Sequence, residues 1–289
     1  MVGHTVTALA WSAAALATTS SWWTVGRRCL PVRPNPKNPK ALQDVSVGMR
    51  TTATPPAGAA HRDLHLALIA SGLFGKTDAD VVSGLVEQVT PVRFPPGQVV
   101  FVQGDAGNRL YLIASGKVKL ANRHADGSEV VLDIVGASDV FGEVSPFDCG
   151  TREFTATAVT DVCAVMIERD QLLAWMAECA EISYQFMRLL ARRGEVMTKC
   201  SVDLFFADRP SRIAKRLLLV SKRFGRRDGD VVLVRHDLTV EDISLFAGVS
   251  PATVDTTLCD FRERGWIRFE DGYVEILDGQ SLAALPARR

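Results

Sequence analysis

Two short runs near the C-terminus hold residues of the types that begin helices and bind polar groups. Thr239 is followed three residues later by Asp242, and in a capping box each of these side chains accepts a hydrogen bond from the other residue's backbone N–H. Ser250 stands directly before Pro251, which is the usual order at an N-cap and the first helical position. With Gly248 in the turn between them, the two runs predict a helix-turn-helix.

The second helix of such a motif presents its first turns to a DNA groove. Asp255 is able to accept a hydrogen bond from a cytosine amino group, Ala252 to touch a thymine methyl, and Thr256 to bond in either sense. Residues 239–265 carry two Lys or Arg against five Asp or Glu, a net charge of −3. Because residues 251–258 contain no Lys or Arg to read bases, we expect duplex DNA to be held mainly through its phosphates, by the flanking basic residues and the helix N-termini, with modest sequence discrimination. The candidate DNA-contacting residues are Thr239, Ser250, Pro251, Ala252, Thr253, Asp255 and Thr256.

Elements that would hold this motif are predicted on both sides of it. Residues 266–277, with an Asp-Gly turn, predict the β-hairpin of a wing. Upstream, a basic amphipathic helix follows a hinge at 208–210. Before the hinge, 181–206 is helical in pattern, and this long helix needs a partner, either a second copy or its own barrel. Its apolar seam consists of Phe186, Leu190, Met197, Cys200 and Leu204.

The middle of the chain has the texture of a β structure. From Thr90 onward, short apolar runs alternate with turn residues at regular intervals, and strands spaced in this way favour a β-roll or barrel. Residues 61–89 predict short amphipathic helices broken by Gly. A purely structural barrel that binds nothing is the alternative, because composition does not distinguish the two.

The order of motifs resembles a known family. "PPGQVVFVQGDAGNRLYLIASGKVKL", then "FGEVSPFD" and "TREFTATAVTD", are similar to the cyclic-nucleotide-binding fold of the cyclic-AMP receptor (CRP/FNR) family of bacterial transcription regulators, in an actinobacterial-like form. The likeness covers residues 61–277. It implies an α+β fold with an N-terminal cyclic-nucleotide-binding β-roll (a double-stranded β-helix or jelly roll), a long dimerisation helix and a C-terminal winged helix-turn-helix. These parts are expected at 61–180, 181–207 and 208–279, followed by a tail at 280–289.

The resemblance implies a ligand site. In the family, backbone N–H groups after "FGE" bind a cyclic phosphate, a Glu accepts from the ribose hydroxyl and an Arg neutralises the phosphate. A Glu stands here where the family has Ser or Thr after that Arg, and it would repel the phosphate and compete for the Arg. Cyclic AMP or another cyclic nucleotide is the expected effector; a different ligand, or structural salt bridges without a ligand, stays open. The candidate residues are Phe141, Gly142, Glu143, Val144, Arg152, Glu153, Arg193 and Thr198.

The resemblance also implies partners. A parallel homodimer through 181–207, double-stranded DNA and RNA polymerase are expected. The family's usual Arg and Glu at the start of the recognition helix are replaced by Pro251 and Ala252, and a later Arg by Thr256. We therefore expect a target site unlike that of the cyclic-AMP receptor. The alternative is a ligand-binding or protein-interaction module of the same fold with weak or lost sequence-specific DNA binding.

Composition limits the other function classes. Lys and Arg equal Asp and Glu at 33 each, so net charge indicates no partner. Six scattered cysteines do not suit a metal site or an iron–sulfur cluster, and no nucleophile elbow or Walker loop indicates an enzyme. The apolar stretch at 5–18 is too short for a membrane span and, unlike a signal peptide, is not preceded by Lys or Arg. With the cysteines interpreted as buried thiols of a reducing compartment, we expect a cytoplasmic protein. Residues 1–60 are expected to be disordered, with translation starting near Met49.

Overall fold

The computed structural model describes residues 68–74, 77–86, 88–143, 150–229, 231–270 and 272–285. Within this part of the chain, eight strands form two antiparallel four-stranded sheets, ordered β1-β8-β3-β6 and β2-β7-β4-β5. The predicted β-roll is therefore present. Its strands are β1 Thr90–Phe94, β2 Val99–Phe101, β3 Arg109–Ser115, β4 Val118–Arg123, β5 Glu129–Val135, β6 Val140–Phe141, β7 Thr155–Ala158 and β8 Val162–Glu168.

Aromatic side chains fill the space between the two sheets. Tyr111 stacks on Phe141 with ring centroids 5.1 Å apart, and Phe101 stacks on both at 5.9–6.1 Å. The turn from β3 to β4 passes through Gly116 at φ +94°, where an added Cβ would lie 2.3 Å from the Asp161 carbonyl oxygen. Only glycine fits that turn. The predicted strand pattern and its punctuation thus place an aromatic core beside the predicted ligand residues.

Three helices flank the roll: α1 Ala79–Val86, α2 Arg169–Glu178 and α3 Ala180–Phe206. The first turns of α3 bury Ile182 and Phe186 in a cluster with Leu110 and Leu112 of β3. Phe186, the first member of the predicted apolar seam, is part of the roll's core, which matches for this turn the alternative in which the helix packs against its own barrel. The 27-residue helix itself was predicted to within one residue at its start.

The remainder forms a winged helix-turn-helix. Asp208 caps α4 and accepts a hydrogen bond from the Ser211 N–H; Pro210 lies in the first turn. The break between α3 and α4 is therefore Ala207–Asp208 rather than the predicted 208–210. A sheet ordered β11-β12-β10-β9 supports three further helices. The elements are α4 Arg209–Phe224, β9 Gly225–Asp228, β10 Val231–Arg235, α5 Val240–Ala247, α6 Pro251–Glu263, β11 Ile267–Glu270, β12 Tyr273–Ile276 and α7 Gly279–Ala283.

Two further predictions concern a membrane span and the two ends of the chain. Among the helices that the structure describes, none has the length and apolarity needed to cross a bilayer. The predicted N-terminal extension, residues 1–60, lies outside the described residues, and so does the tail beyond residue 285.

Candidate ligand pocket and DNA-reading surface

Arg152 lies just before β7 and points into the roll. Its side chain is buried, and its Nη1 and Nη2 donate to the carbonyl oxygens of Gly142 and Arg109 at 2.9 and 2.7 Å. The guanidinium lies 4.1 Å from the centroid of the Phe101 ring, a cation–π contact. Burial lowers the pKa of Arg152, because loss of water disfavours the charged form. Its Nε is buried and has no hydrogen-bond partner among the described residues.

Glu143 is the second buried ionisable group in this region. Its Oε1 accepts a hydrogen bond from Nη1 of Arg193, while Nη2 of the same arginine donates to the Val140 carbonyl. The other carboxylate oxygen, Oε2, is buried and has no hydrogen-bond partner in the part of the chain that is described. Because Arg193 belongs to α3, this ion pair joins the long helix directly to the predicted ligand residues.

Of the other predicted ligand residues, two lie beside Arg152, one lies on the exposed side of α3 and one is outside the described residues. Phe141 is fully buried in the aromatic stack, and Gly142 has φ +78°, with Nη1 of Arg152 only 2.7 Å from where a Cβ would stand. Thr198 is exposed and donates to the Gly194 carbonyl of its own helix. Val144 lies outside the described residues.

The expected competition between Glu153 and Arg152 is not found. The Glu153 side chain is exposed, and the described ion pairs contain no contact between these two residues. Glu153 lies in a bend between Thr151 and β7, and this bend turns its side chain to solvent while Arg152 points into the roll. Of the structural salt bridges left open as an alternative for the two arginines, one from Arg152 to Glu153 is not present among the described ion pairs, whereas Arg193 does make one, with Glu143.

The pocket residues fit a polar ligand that carries an anion and a hydroxyl donor. A buried carboxylate oxygen without a donor and a buried guanidinium whose described partners are neutral carbonyls both carry a desolvation cost that such a ligand would relieve. Sequence reasoning missed Phe101 and the two carbonyls of Gly142 and Arg109. An aromatic residue in a strand gives the same signal as any core residue, and backbone acceptors leave no signal in the sequence.

The helix-turn-helix has the predicted caps. The Thr239 side chain accepts from the Asp242 N–H and the Asp242 side chain from the Thr239 N–H, which completes the capping box. Ser250 accepts from the Thr253 N–H at the start of α6, and Gly248 takes the left-handed conformation that ends α5, at φ +64°. These contacts fix the angle between α5 and α6.

One face of α6 is free and the other is buried. Val254, Leu258 and Phe261 pack into the core of the winged domain. The exposed side carries Pro251, Ala252, Asp255, Thr256 and Cys259. The Thr256 hydroxyl donates to the Ala252 carbonyl at 2.8 Å, which leaves its oxygen able to accept from a base. Most of the predicted DNA-contacting residues therefore share one accessible face, whereas Thr239 is used in a cap.

Comparison with known proteins divides the chain into the same two domains. Residues 91–179 match the cyclic nucleotide-binding domain and residues 211–285 match the Crp-like helix-turn-helix domain. Over 216 residues, the chain is 46% identical to the CRP-like cAMP-activated global transcriptional regulator of Mycobacterium tuberculosis strain H37Rv, covering 75% of this chain and 96% of that one. It is 34% identical over 190 residues to the cyclic AMP receptor protein of Thermus thermophilus, covering 65% and 84%.

A solved structure of the same fold is that of FixK2 from Bradyrhizobium japonicum. It aligns with a TM-score of 0.63 at 18% identity, over 70% of this chain and 98% of that one. A nucleotide-type roll joined to a helix-turn-helix defines a ligand-responsive, DNA-binding transcription regulator. More specifically, the chain belongs to the CRP/FNR family.

Proposed function

We propose that the β-roll binds cyclic AMP, with Glu143 accepting a hydrogen bond from the ribose hydroxyl and Arg152 facing the cyclic phosphate. The observation that carries this proposal is the pair of buried atoms without partners among the described residues, Oε2 of Glu143 and Nε of Arg152. Two relatives are named for cyclic AMP, which supports the same choice of ligand. The guanidinium would have to share its donors between the phosphate and the carbonyls it now contacts.

Calorimetric titration tests the ligand. The full-length chain is titrated with cyclic AMP, and we expect saturable heat with one nucleotide per chain. Glu143→Gln should weaken binding, because an amide accepts a hydroxyl hydrogen bond less well than a carboxylate does. Absence of heat at millimolar cyclic AMP contradicts this proposal, and a parallel titration with cyclic GMP shows whether another cyclic nucleotide takes its place.

We further propose that two copies pair in parallel through α3. Six exposed positions on this helix recur at alternating intervals of three and four residues, the spacing of a two-stranded seam. An exposed apolar row on a helix of this length is stabilised by a second copy of itself. The seam consists of Met187, Leu190, Gly194, Met197, Ser201 and Leu204.

We propose that α6 reads DNA with modest base discrimination and that flanking cations and helix N-termini supply most of the affinity through the phosphates. The exposed face of α6 carries no Lys or Arg over its first two turns, so bidentate Arg–guanine contacts are not available there. Selection from a random duplex library tests this. Enrichment of the cyclic-AMP receptor's usual half-site would contradict it.

Acting on chromosomal DNA in the cytoplasm, the protein would meet RNA polymerase as a further partner.

A further inference from the structure

We infer that a set of crossed ion pairs between the β-roll and the winged domain of the same chain holds α6 with its DNA-reading face outward. Lys117, Lys119 and Arg223 are then positioning residues for DNA binding. We refer to this set as the clasp, made of Lys117, Lys119, Asp133 and Asp139 on the roll and Arg223, Asp237 and Asp242 on the winged domain. The inference rests on DNA binding by α6 and adds the device that orients it.

The first contact of the clasp comes from the β3–β4 turn. Nζ of Lys117 lies 2.5 Å from Oδ2 of Asp237 and donates to the Arg235 carbonyl at 2.6 Å. The two charged side chains are only 13% and 18% exposed. Asp237 is held at φ +55°, and Arg235 donates to its other oxygen at 2.9 Å. This carboxylate is therefore fixed in place to receive a cation from the roll.

The second contact reaches the helix-turn-helix itself. Nζ of Lys119 lies 2.6 Å from Oδ1 of Asp242. The other oxygen of Asp242 accepts from the Thr239 N–H and hydroxyl, at 3.1 and 2.8 Å. One carboxylate thus both caps α5 and binds the roll. Because α5 and α6 are joined by a tight turn, a tilt of α5 about this point would carry α6 with it.

The third contact has the opposite polarity. Arg223, near the end of α4, lies 2.8 Å from Asp133 and 3.7 Å from Asp139, and it also donates to the Ile134 carbonyl. Its neighbour Phe224 sits against Gly136 so closely that an added Cβ there would be 2.3 Å from the ring. The roll therefore supplies cations to Asp237 and Asp242 and carboxylates to Arg223, and this pattern of charge favours the observed orientation of the winged domain over others.

Apolar side chains of the roll also pack against the winged domain. Ala121 of β4 and Val131 and Ile134 of β5 are buried in the same cluster as the core of the winged domain. Apolar contact alone is non-directional, and it tolerates sliding and rotation. Partly buried charge pairs cost free energy when they are misaligned, so they specify orientation even where their net contribution to stability is small.

The orientation that results leaves one face of α6 accessible. Pro251, Ala252, Asp255 and Thr256 are all exposed, whereas Ser250 and Thr253 at the start of α6 border a cleft of about 460 Å³ together with Glu129 and Val130 of the roll. A dimeric helix-turn-helix protein must present two such helices about one DNA turn apart, roughly 34 Å. A winged domain free to rotate on the Ala207–Asp208 link would lose that spacing for most of the time and bind more weakly.

A charge-swap cycle at the first contact tests the inference in the full-length chain. The probe is a duplex enriched from a random library by the wild-type protein, and binding is followed by fluorescence anisotropy. Lys117→Glu and Asp237→Lys should each raise Kd about tenfold, and the double variant should return to within about threefold of wild type. Arg123→Glu, the same type of charge reversal on the same edge but at an exposed side chain, should change Kd less than about twofold.

Two further measurements separate positioning from simple stability. Thermal midpoints show whether the variants are folded at the assay temperature, and hydrogen exchange of residues 118–135 and 235–242 shows whether the clasp has opened. Should the double variant fail to fold, Lys119→Gln against Arg123→Gln gives the same comparison, with weaker binding expected only for the former.

The inference is overturned if folded variants show faster exchange at the clasp but bind the duplex as wild type does, or if the double variant binds no better than the single ones. A wild-type chain that enriches no duplex contradicts DNA binding by α6 itself, and the inference falls with it. That outcome is distinct from an unchanged Kd in the clasp variants.

Discussion

Arg152 concentrates the chemistry of the ligand pocket in one residue. A guanidinium removed from water and bonded to carbonyls rather than to a carboxylate retains its full charge in a region of low polarity. Burial already lowers its pKa, and an anionic ligand would reverse that cost. The same residue positions Gly142 and touches Phe101, so it supports the pocket even before a ligand arrives.

The positive charge of Arg152 is expected to supply much of the affinity for cyclic AMP. Arg152→Gln removes the cation while keeping an amide able to bond one carbonyl, and we expect cyclic-AMP affinity to fall about 100-fold, as for loss of a buried charge-assisted bond. Calorimetry measures the change. Arg93→Gln is the matched control, because it removes a guanidinium of the same roll that is exposed and paired with Asp161. Equal losses in both variants would mean that general positive charge, and not Arg152, binds the ligand.

At this scale the sequence predicted the charged residues better than their surroundings. Glu143 and Arg152 followed from motif order, and both are buried in the roll. The competition expected from Glu153 for Arg152 is not found, because a bend in the chain turns the Glu153 side chain to solvent while Arg152 points into the roll. The stack on Phe101 could not be predicted, since the pairing of β2 with β7 that brings it close depends on long-range register.

The long helix α3 has two structural roles, which the apolar pattern of its sequence does not separate. Its first turns complete the core of the roll, and its later turns expose a regular apolar row. A period of three and four residues reveals that a helix is amphipathic without saying which partner covers which turn. For that reason the predicted seam wrongly included Phe186 and Cys200. Phe186 faces the roll, and Cys200 lies 2.6 Å from Nη1 of Arg216 of α4.

Substitution in the row tests dimerisation. Met197 is 57% exposed on the seam, and Met197→Glu would place two carboxylates opposite each other in a parallel pair. We expect a monomer at micromolar concentration by size-exclusion chromatography with light scattering. Lys199→Glu, on the outer side of the same helix with its Nζ 2.6 Å from Glu195, should remain dimeric. A dimeric Met197→Glu protein, or a monomeric wild type, would rule out this seam.

The helix N-caps at Thr239 and Ser250 were the most predictable features, because they depend on residues three apart and need no tertiary information. Thr239→Ala removes the hydroxyl that accepts from the Asp242 N–H, and we expect about 1 kcal/mol loss in the free energy of unfolding by urea titration. Thr256→Ala, exposed and bonded only within its own helix turn among the described contacts, should change stability by less than about 0.5 kcal/mol. Similar losses for the two variants would argue against a capping role.

On the scale of the whole molecule, the pocket, α3 and the winged domain form one connected unit. Glu143 binds Arg193 of α3, Arg193 binds the Val140 carbonyl, and the neighbouring Asp139 faces Arg223 of the winged domain. None of these long-range pairs was predictable, because a lone charge in a strand or helix usually indicates a solvated face. The two domains were predictable individually, whereas their mutual orientation depends on contacts more than 80 residues apart in the chain.

The clasp also makes stability depend on pH. Burial alone would raise the pKa of Asp237 and of Asp242. Lys117 and Arg235 outweigh this effect at Asp237, and Lys119 and Thr239 outweigh it at Asp242, so both pKa values lie below that of a free aspartate. Because the folded pKa is the lower, the stabilisation is present above the unfolded pKa of about 3.9 and is lost as pH falls below it. Asp139 has the opposite shift, a pKa raised by burial, and opposes this trend.

We therefore expect the urea midpoint of the full-length chain to fall between about pH 5 and pH 3. Asp237→Asn should flatten this dependence, because the amide does not titrate, while lowering stability at pH 7 through loss of the Lys117 pair. An unchanged pH profile in Asp237→Asn would show that other carboxylates dominate the acid sensitivity.

Because Arg193 joins Glu143 of the pocket to the long helix α3, we expect cyclic AMP in the roll to tighten DNA binding by α6. The affinity for a selected duplex with and without cyclic AMP tests this coupling most directly. At a cyclic-AMP concentration that just saturates the wild-type chain, we expect Kd for the duplex to fall at least about tenfold in the wild-type chain and to change little in Arg152→Gln, whose pocket stays mostly empty. By linkage, the duplex should tighten cyclic-AMP binding by the same factor. The same Kd with and without cyclic AMP in the wild-type chain would contradict the account.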